Sequence, residues 1–192
     1  MRPLCLMGFI ACAVALAAPA FSADHPAVAE WNRYCFLTHD SPAIGLALAD
    51  TDGWKKAAID EAEKYYSGQA RKKVDALGQH LLGFSQLKRS IAARDDLHML
   101  QCVVTVPSSE NPVPSLIKLL GAPPLYADER GAHWMLMEAD DIYSIPSESD
   151  IGAVQKAQAE GRLLRIHAGL TIYGAGTQAF IIFEPPRPIL KK

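Results

Sequence analysis

Six histidines, His25, His39, His80, His98, His133 and His167, are the chain's readiest metal ligands and proton carriers. A helical zinc site asks for His-x-x-x-His, and a zinc box for Cys and His at short spacing, so that the ligands converge on one ion. No two of these histidines stand at such a spacing, and no metal site is expected. Glu138, Asp140 and Asp141 form the densest acidic cluster. Their oxygens would suit a hard cation such as calcium, but the glycine that turns a calcium-binding loop is missing, so the cluster reads as a solvated turn after a strand. Asp50, Asp52, Glu61 and Glu63 offer carboxylates for acid–base work, yet on helices they read as ordinary surface residues. No Gly-x-Ser-x-Gly elbow frames a serine. The glycines from Gly169 to Gly176 lack the lysine of a phosphate loop and precede a strand, which makes them a hairpin turn. No catalytic residue is assigned, and no cofactor is expected.

Cys35 and Cys102 carry the most specific signal. Val28, Trp31 and Cys35 recur at helical spacing, while Leu100, Cys102, Val104 and Val106 alternate along a strand, so both sulfurs point into the core. In an oxidising compartment such a pair predicts a disulfide, a staple from helix to strand. In the chain-entropy model a bridge closing a loop of this size contributes roughly 4 kcal/mol. The competing use of Cys35 is a nucleophilic thiol beside His39 at i,i+4, but a bridged sulfur cannot attack. One face remains as a candidate for binding. Arg165, His167, Thr171 and Tyr173 lie on the polar side of a strand, and form a binding face if the sheet leaves that side uncovered; otherwise they are a solvated antiparallel face. The Arg71-Lys72-Lys73 run has no interleaved aromatics and reads as the surface of a helix. Trp31, Trp54 and Trp134 read as core anchors.

These residues must be held by elements. Asp24 and Pro26 open a first helix that runs to about Leu37. Asp40 or Ser41 caps a short second helix stopped by Gly53. Lys55 to Ser67 is rich in Ala, Glu and Lys and predicts a solvent-facing helix. Gln69 to about Ala93 carries Val74, Leu77, Leu81, Phe84 and Leu87 at helical spacing, and predicts another, interrupted by Gly78 and Gly83. The period then switches to two. Leu97 to Val106 is a strand, Pro112 to Leu120 a short helix ended by Gly121, and His133 to Met137 a second strand. Ser147 and Asp150 resemble a capping box for a helix closed by Gly161. Leu164 to Tyr173 alternates over ten residues, the clearest strand in the chain, and Gln178 to Glu184 returns as its hairpin partner. The Pro-rich tail from about 185 is expected to fray. Helices first and strands later give an α+β fold, with a mainly antiparallel sheet of about four strands in the C-terminal half packed on N-terminal helices.

The start of the chain reads as a secretory signal peptide over residues 1–22: Arg2, an uncharged apolar run from Leu4 to Ala18, and small residues for cleavage between Ala20 and Ala23. A retained anchor would need about 20 apolar residues, more than the run supplies. Residues 23–192 then form a single domain, and the loss of Cys5 and Cys12 leaves Cys35 and Cys102 alone. The whole chain of 192 residues carries 19 Lys and Arg against 21 Asp and Glu, a net charge of −2. Such a balance supplies no positive field for nucleic acid. No later stretch approaches spanning length, so no stable membrane anchor is expected after cleavage.

Cys35 closing a helix, Thr38, Asp40, the Gly53-Trp54 pair, Cys102 in a later strand and the Leu119-Leu120-Gly121 helix end together resemble small exported Gram-negative proteins of uncharacterised families. The likeness covers the first two thirds of the mature chain. It implies a periplasmic, disulfide-stapled α+β domain, and it brings no activity or catalytic residue. The expected function is a non-enzymatic accessory or binding module, periplasmic or secreted, that recognises an envelope protein or cell-surface component. A small periplasmic hydrolase, with a site assembled from residues scattered along the chain, is the alternative.

Overall fold

The structure, a computed structural model, describes residues 25–39, 41–57, 69–87, 97–129, 131–139, 142–146, 151–173 and 176–188. Residues 1–22, expected to be a signal peptide, Glu61 and Glu63, Asp140 and Asp141, and the capping box expected at Ser147 and Asp150 lie outside these residues.

Helix α1 (Pro26–Trp31) starts from His25, whose Nδ1 accepts the Ala27 amide at 3.1 Å while the other ring nitrogen meets the Glu110 carbonyl. It continues as a π-helical turn (Asn32–Phe36), closed by the Leu37 amide on the Asn32 carbonyl. The wider turn aims Tyr34 and Cys35 inward, and both are buried. Helix α2 (Pro42–Thr51) is capped by Ser41. Helices α3 (Val113–Leu120) and α4 (Ile151–Ala159) follow later; α3 ends at Gly121 as the sequence predicts.

Among the described residues, ten strands make one antiparallel sheet: β1 (Lys55–Lys56), β2 (Gln69–Asp75), β3 (Gly78–Leu87), β4 (Leu97–Pro107), β5 (Tyr126–Asp128), β6 (Gly131–Ala139), β7 (Ile142–Ser144), β8 (Leu163–Tyr173), β9 (Gly176–Glu184) and β10 (Pro186–Pro188). The order is β1-β2-β3-β4-β9-β8-β6-β5, with β7 also beside β6 and β10 beside β4. The α+β class and the antiparallel sheet stand. The estimate of about four strands in the C-terminal half does not, because strands begin at Lys55.

The helix expected from Gln69 is the hairpin β2–β3. Its turn is set by Asp75, whose Oδ1 accepts the Leu77 amide at 2.8 Å, and by Gly78 at φ +123°, a value only glycine adopts without strain. Strand β3 lies between β2 and β4 and is buried on both faces over residues 81–85. A strand covered on both sides loses its polar alternation, and its apolar residues happened to recur at helical intervals. The basic run is therefore on a strand. Arg71 is buried, with Nε 2.6 Å and Nη2 3.0 Å from the two Asp50 oxygens, so Asp50 is not an idle surface carboxylate. Lys55 and Lys56, expected in a helix, pair with Lys72 and Arg71. Within the tail, residues 186–188 form β10, which continues the register of β9 along β4, with the Leu100 amide on the Pro185 carbonyl.

The inner face of the sheet carries the core. Leu82, Phe84, Cys102, Val104, Trp134, Leu136, Leu164, Ile166, Ile181 and Phe183 are buried there with Val28, Trp31, Leu46 and Leu116 from the helices. Each large side chain so buried contributes about 1.5–3 kcal/mol. Cys35 and Cys102 are joined in a disulfide across Cα atoms 5.8 Å apart, both sulfurs in the core, as the two patterns predict. A buried disulfide is compatible with an oxidising compartment. All three tryptophans are buried as anchors. Among the described residues no helix is long and apolar enough to cross a membrane.

Candidate functional site

Successive residues of a strand face opposite sides, and residues paired across antiparallel strands share a side. The register therefore lays rows of side chains across the outer face. One row runs Tyr126, His133, His167, Ile182, Val103. The next runs Met135, Arg165, Glu184. Over β2–β4 this face is closed, with Ala70, Val103 and Ser85 buried. Over β6, β8 and β9 it opens into a groove of about 500 Å³, walled by Leu125, Tyr126, Met135 and Ile182 and floored by His133, His167, Arg165 and Glu184.

The two imidazoles are stacked, with ring centroids 4.0 Å apart and planes 14° from parallel. Their strands explain this. Glu138 N–H donates to the Arg162 carbonyl, so even residues of β6 turn their peptide groups toward β8 and odd ones turn theirs away. His133 and His167 are thus a non-hydrogen-bonded pair, the kind whose side chains approach most closely. Phe180 meets the His167 ring edge-on at 4.9 Å, and Tyr126 flanks His133 at 6.0 Å. The His167 ring reaches the backbone at Gly131. A Cβ there would lie 3.0 Å from Nε2 and 2.5 Å from the Ala168 carbonyl, and Gly131 has φ +153°. His167 Nε2 is buried without a hydrogen-bond partner. Burial first, then neighbouring His133, holds the His167 imidazole below its ordinary pKa against a smaller upward pull from Asp128. A ring so placed stays neutral at pH 7. In the second row, Gln101 Nε2 donates to Glu184 at 3.0 Å and Ser85 donates to Gln101 at 3.2 Å, so Glu184 is fixed from behind while Arg165 is exposed.

A second histidine cluster lies on the inner face. His80, 1% exposed, directs Nδ1 at Glu30 Oε1 (2.8 Å) and Nε2 at Asp75 Oδ1 (3.1 Å). Both nitrogens can donate only as imidazolium. Desolvation opposes that charge, but Glu30 and Asp75 together outweigh it, and the His80 pKa is raised. Beside it Trp54 Nε1 donates to Tyr34 Oη, and Tyr34 donates to Asp52, which also takes Arg33. Burial, then the bond to Asp52, pushes the Tyr34 hydroxyl up to about 12. This cluster ties α1, the π-turn and α2 to the β2–β3 hairpin.

Of the sequence-predicted face, Arg165 and His167 line the groove. Thr171 is exposed beyond it, and the side chain of Tyr173 is not among those described. Cys35, bridged, forms no couple with His39. His133, Tyr126 and Glu184 were not singled out as binding residues; each comes to the groove from a different strand, and only the strand order brings them there. The chain matches no protein-family model, no curated protein and no solved structure.

Proposed function

We propose that the chain is an exported binding module that recognises another envelope component through the groove on its outer face. One observation carries the reading. The open half of the sheet combines apolar side chains, an exposed arginine, a braced carboxylate and a stacked imidazole pair in one concavity of about 500 Å³. Concave, mostly apolar sites with a few placed polar groups are what ligand binding uses. Among the described lining residues there is no serine, threonine or cysteine, so a covalent hydrolytic route has no ordinary nucleophile there. The export signal, the disulfide and the likeness to small exported Gram-negative proteins support an oxidising, periplasmic setting.

The test is capture from envelope extract by the immobilised mature domain, run beside Arg165→Ala and His133→Ala. A component retained by the wild type and lost by both variants is the expected result. Hydrolytic activity that disappears on mutation of the groove, with nothing captured, overturns the reading in favour of a small periplasmic hydrolase.

A further inference from the structure

Arg165 and Glu184 stand directly opposite each other across β8 and β9, and both line the groove. Opposite charges so placed ordinarily pair. Here they do not: among the described residues no carboxylate forms an ion pair with the exposed Arg165 guanidinium. The register gives the reason. The Leu100 amide donates to the Pro185 carbonyl, so residue 185 turns its peptide groups toward β4 and residue 184 turns its own toward β8. Glu184 and Arg165 are therefore a hydrogen-bonded pair, the kind with Cα atoms about 5.5 Å apart. Glu184 and Gln101, the next step of the β4–β9 register, are a non-hydrogen-bonded pair, the kind at about 4.5 Å. The closer neighbour takes the carboxylate: Gln101 Nε2 donates to Glu184 Oε1 at 3.0 Å, and Ser85 donates to Gln101 from behind. One positive and one negative group are thus held apart in a single concavity of about 500 Å³.

We propose that the groove binds a zwitterionic group, an ammonium beside a carboxylate on an apolar body, with the carboxylate on Arg165 and the ammonium on Glu184. The inference rests on the reading of the groove as a binding site and names the chemistry of what it takes. A plain anion reaching Arg165 would meet Glu184, and a plain cation reaching Glu184 would meet Arg165. A ligand carrying both signs leaves neither charge unmatched as water is expelled. Tyr126, Met135 and Ile182 give apolar contact to the body that carries the two charges. The concavity is of the size that small ligands fill. Gln101 is a positioning residue: by holding Glu184 it keeps Arg165 open to the ligand.

The probe is L-phenylalanine, measured by calorimetry on the purified protein beside N-acetyl-phenylalanine, which lacks the ammonium, and phenylalanine amide, which lacks the carboxylate. Phenylalanine binds saturably, and each blocked analogue binds about tenfold more weakly. Arg165→Gln binds phenylalanine about tenfold more weakly and no longer distinguishes it from its amide. Glu184→Gln, which can still accept from Gln101, no longer distinguishes it from the acetyl compound. Gln101→Ala frees Glu184 to turn to Arg165 and weakens binding as well, while Thr171→Ala, beyond the groove, leaves it unchanged. Phenylalanine that fails to saturate up to about 10 mM, or analogues that bind as tightly, overturns the inference. So does a double-mutant cycle in which Arg165 and Glu184 are coupled by about tenfold or more in the unfolding equilibrium of the free protein. Envelope capture lost in Arg165→Ala while phenylalanine does not bind overturns this inference alone and leaves the groove reading standing. A captured component that phenylalanine displaces carries the zwitterionic group itself. Phenylalanine bound in this pattern with nothing captured supports a free ligand and removes the envelope component.

Discussion

His80 and His167 sit on opposite faces of one sheet and have opposite electrostatics. His80 is almost completely buried, yet both nitrogens meet carboxylates, and its positive charge is held. His167 is less buried, yet its Nε2 meets nothing and its neighbour is another imidazole, so charge is refused. Burial alone therefore does not decide the protonation state; the partners do. A satisfied group holds elements together, whereas His167 Nε2, buried against the backbone at Gly131, joins none.

The contrast can be broken in steps. The inner face is hit hardest by removing its staple: a Cys35→Ala, Cys102→Ala double variant loses about 4 kcal/mol in urea unfolding, less any strain the bridge carried. His80→Leu loses about 3 kcal/mol in the same measurement, because both charge-assisted bonds go and half-buried Glu30 keeps only Lys73, 3.6 Å from its Oε1. Gly131→Ala, on the outer side, loses about 2 kcal/mol from a positive φ and the approach to the Ala168 carbonyl, and it displaces the His167 ring. Proton linkage then separates the two histidines by sign. The raised pKa of His80 contributes stability that is complete below about pH 6.5 and is lost as pH rises through the folded value. The depressed pKa of His167 contributes stability present above about pH 6.5 and lost as pH falls through its folded value. Unfolding free energies taken across pH should slope downward in both directions, with His80→Leu flattening the alkaline limb and His167→Leu the acid limb. The smallest effect is that of His167→Leu near neutral pH, within about 1 kcal/mol of wild type, since it removes a polar atom that had no partner. A loss as large as that of His80→Leu would show that the His167 nitrogen is bonded in solution and end the contrast.

Much of the framework was legible in the chain. Cys35 and Cys102 each sat in a clean period, one helical and one of two, and periods survive wherever a single face is buried. Strands β4 and β8 and helix α3 were readable for the same reason, with Pro107 and Gly121 marking ends. Strand β3 was not, because cover on both faces erased the alternation at Leu81 to Ser85. Strands β5 and β7 are three residues each, exposed but for half-buried Tyr143, and too short to show a period at all. The groove was half legible: Arg165 and His167 stood out as the polar side of β8. His133 did not, because its place beside His167 depends on β6 pairing with β8 across an intervening helix; Glu184 lay in the predicted hairpin partner of β8, but nothing in its own strand marked it, and its brace, Gln101, comes from distant β4.

That placement of β9 also orders events during synthesis and folding. Strand β4 finds β3 close behind it, but its other neighbour is synthesised roughly seventy residues later. As the chain emerges from its N-terminus, both cysteines appear before β9 exists, so an oxidant meets them on half a sheet. Until the late strand arrives, β4 is an open apolar edge, the kind that pairs with whatever strand is nearest. A chain cut before β9 leaves that edge of β4 without its neighbour even with the cross-link in place, so cover for the edge comes with the residues from 176 onward rather than with the sulfur bridge.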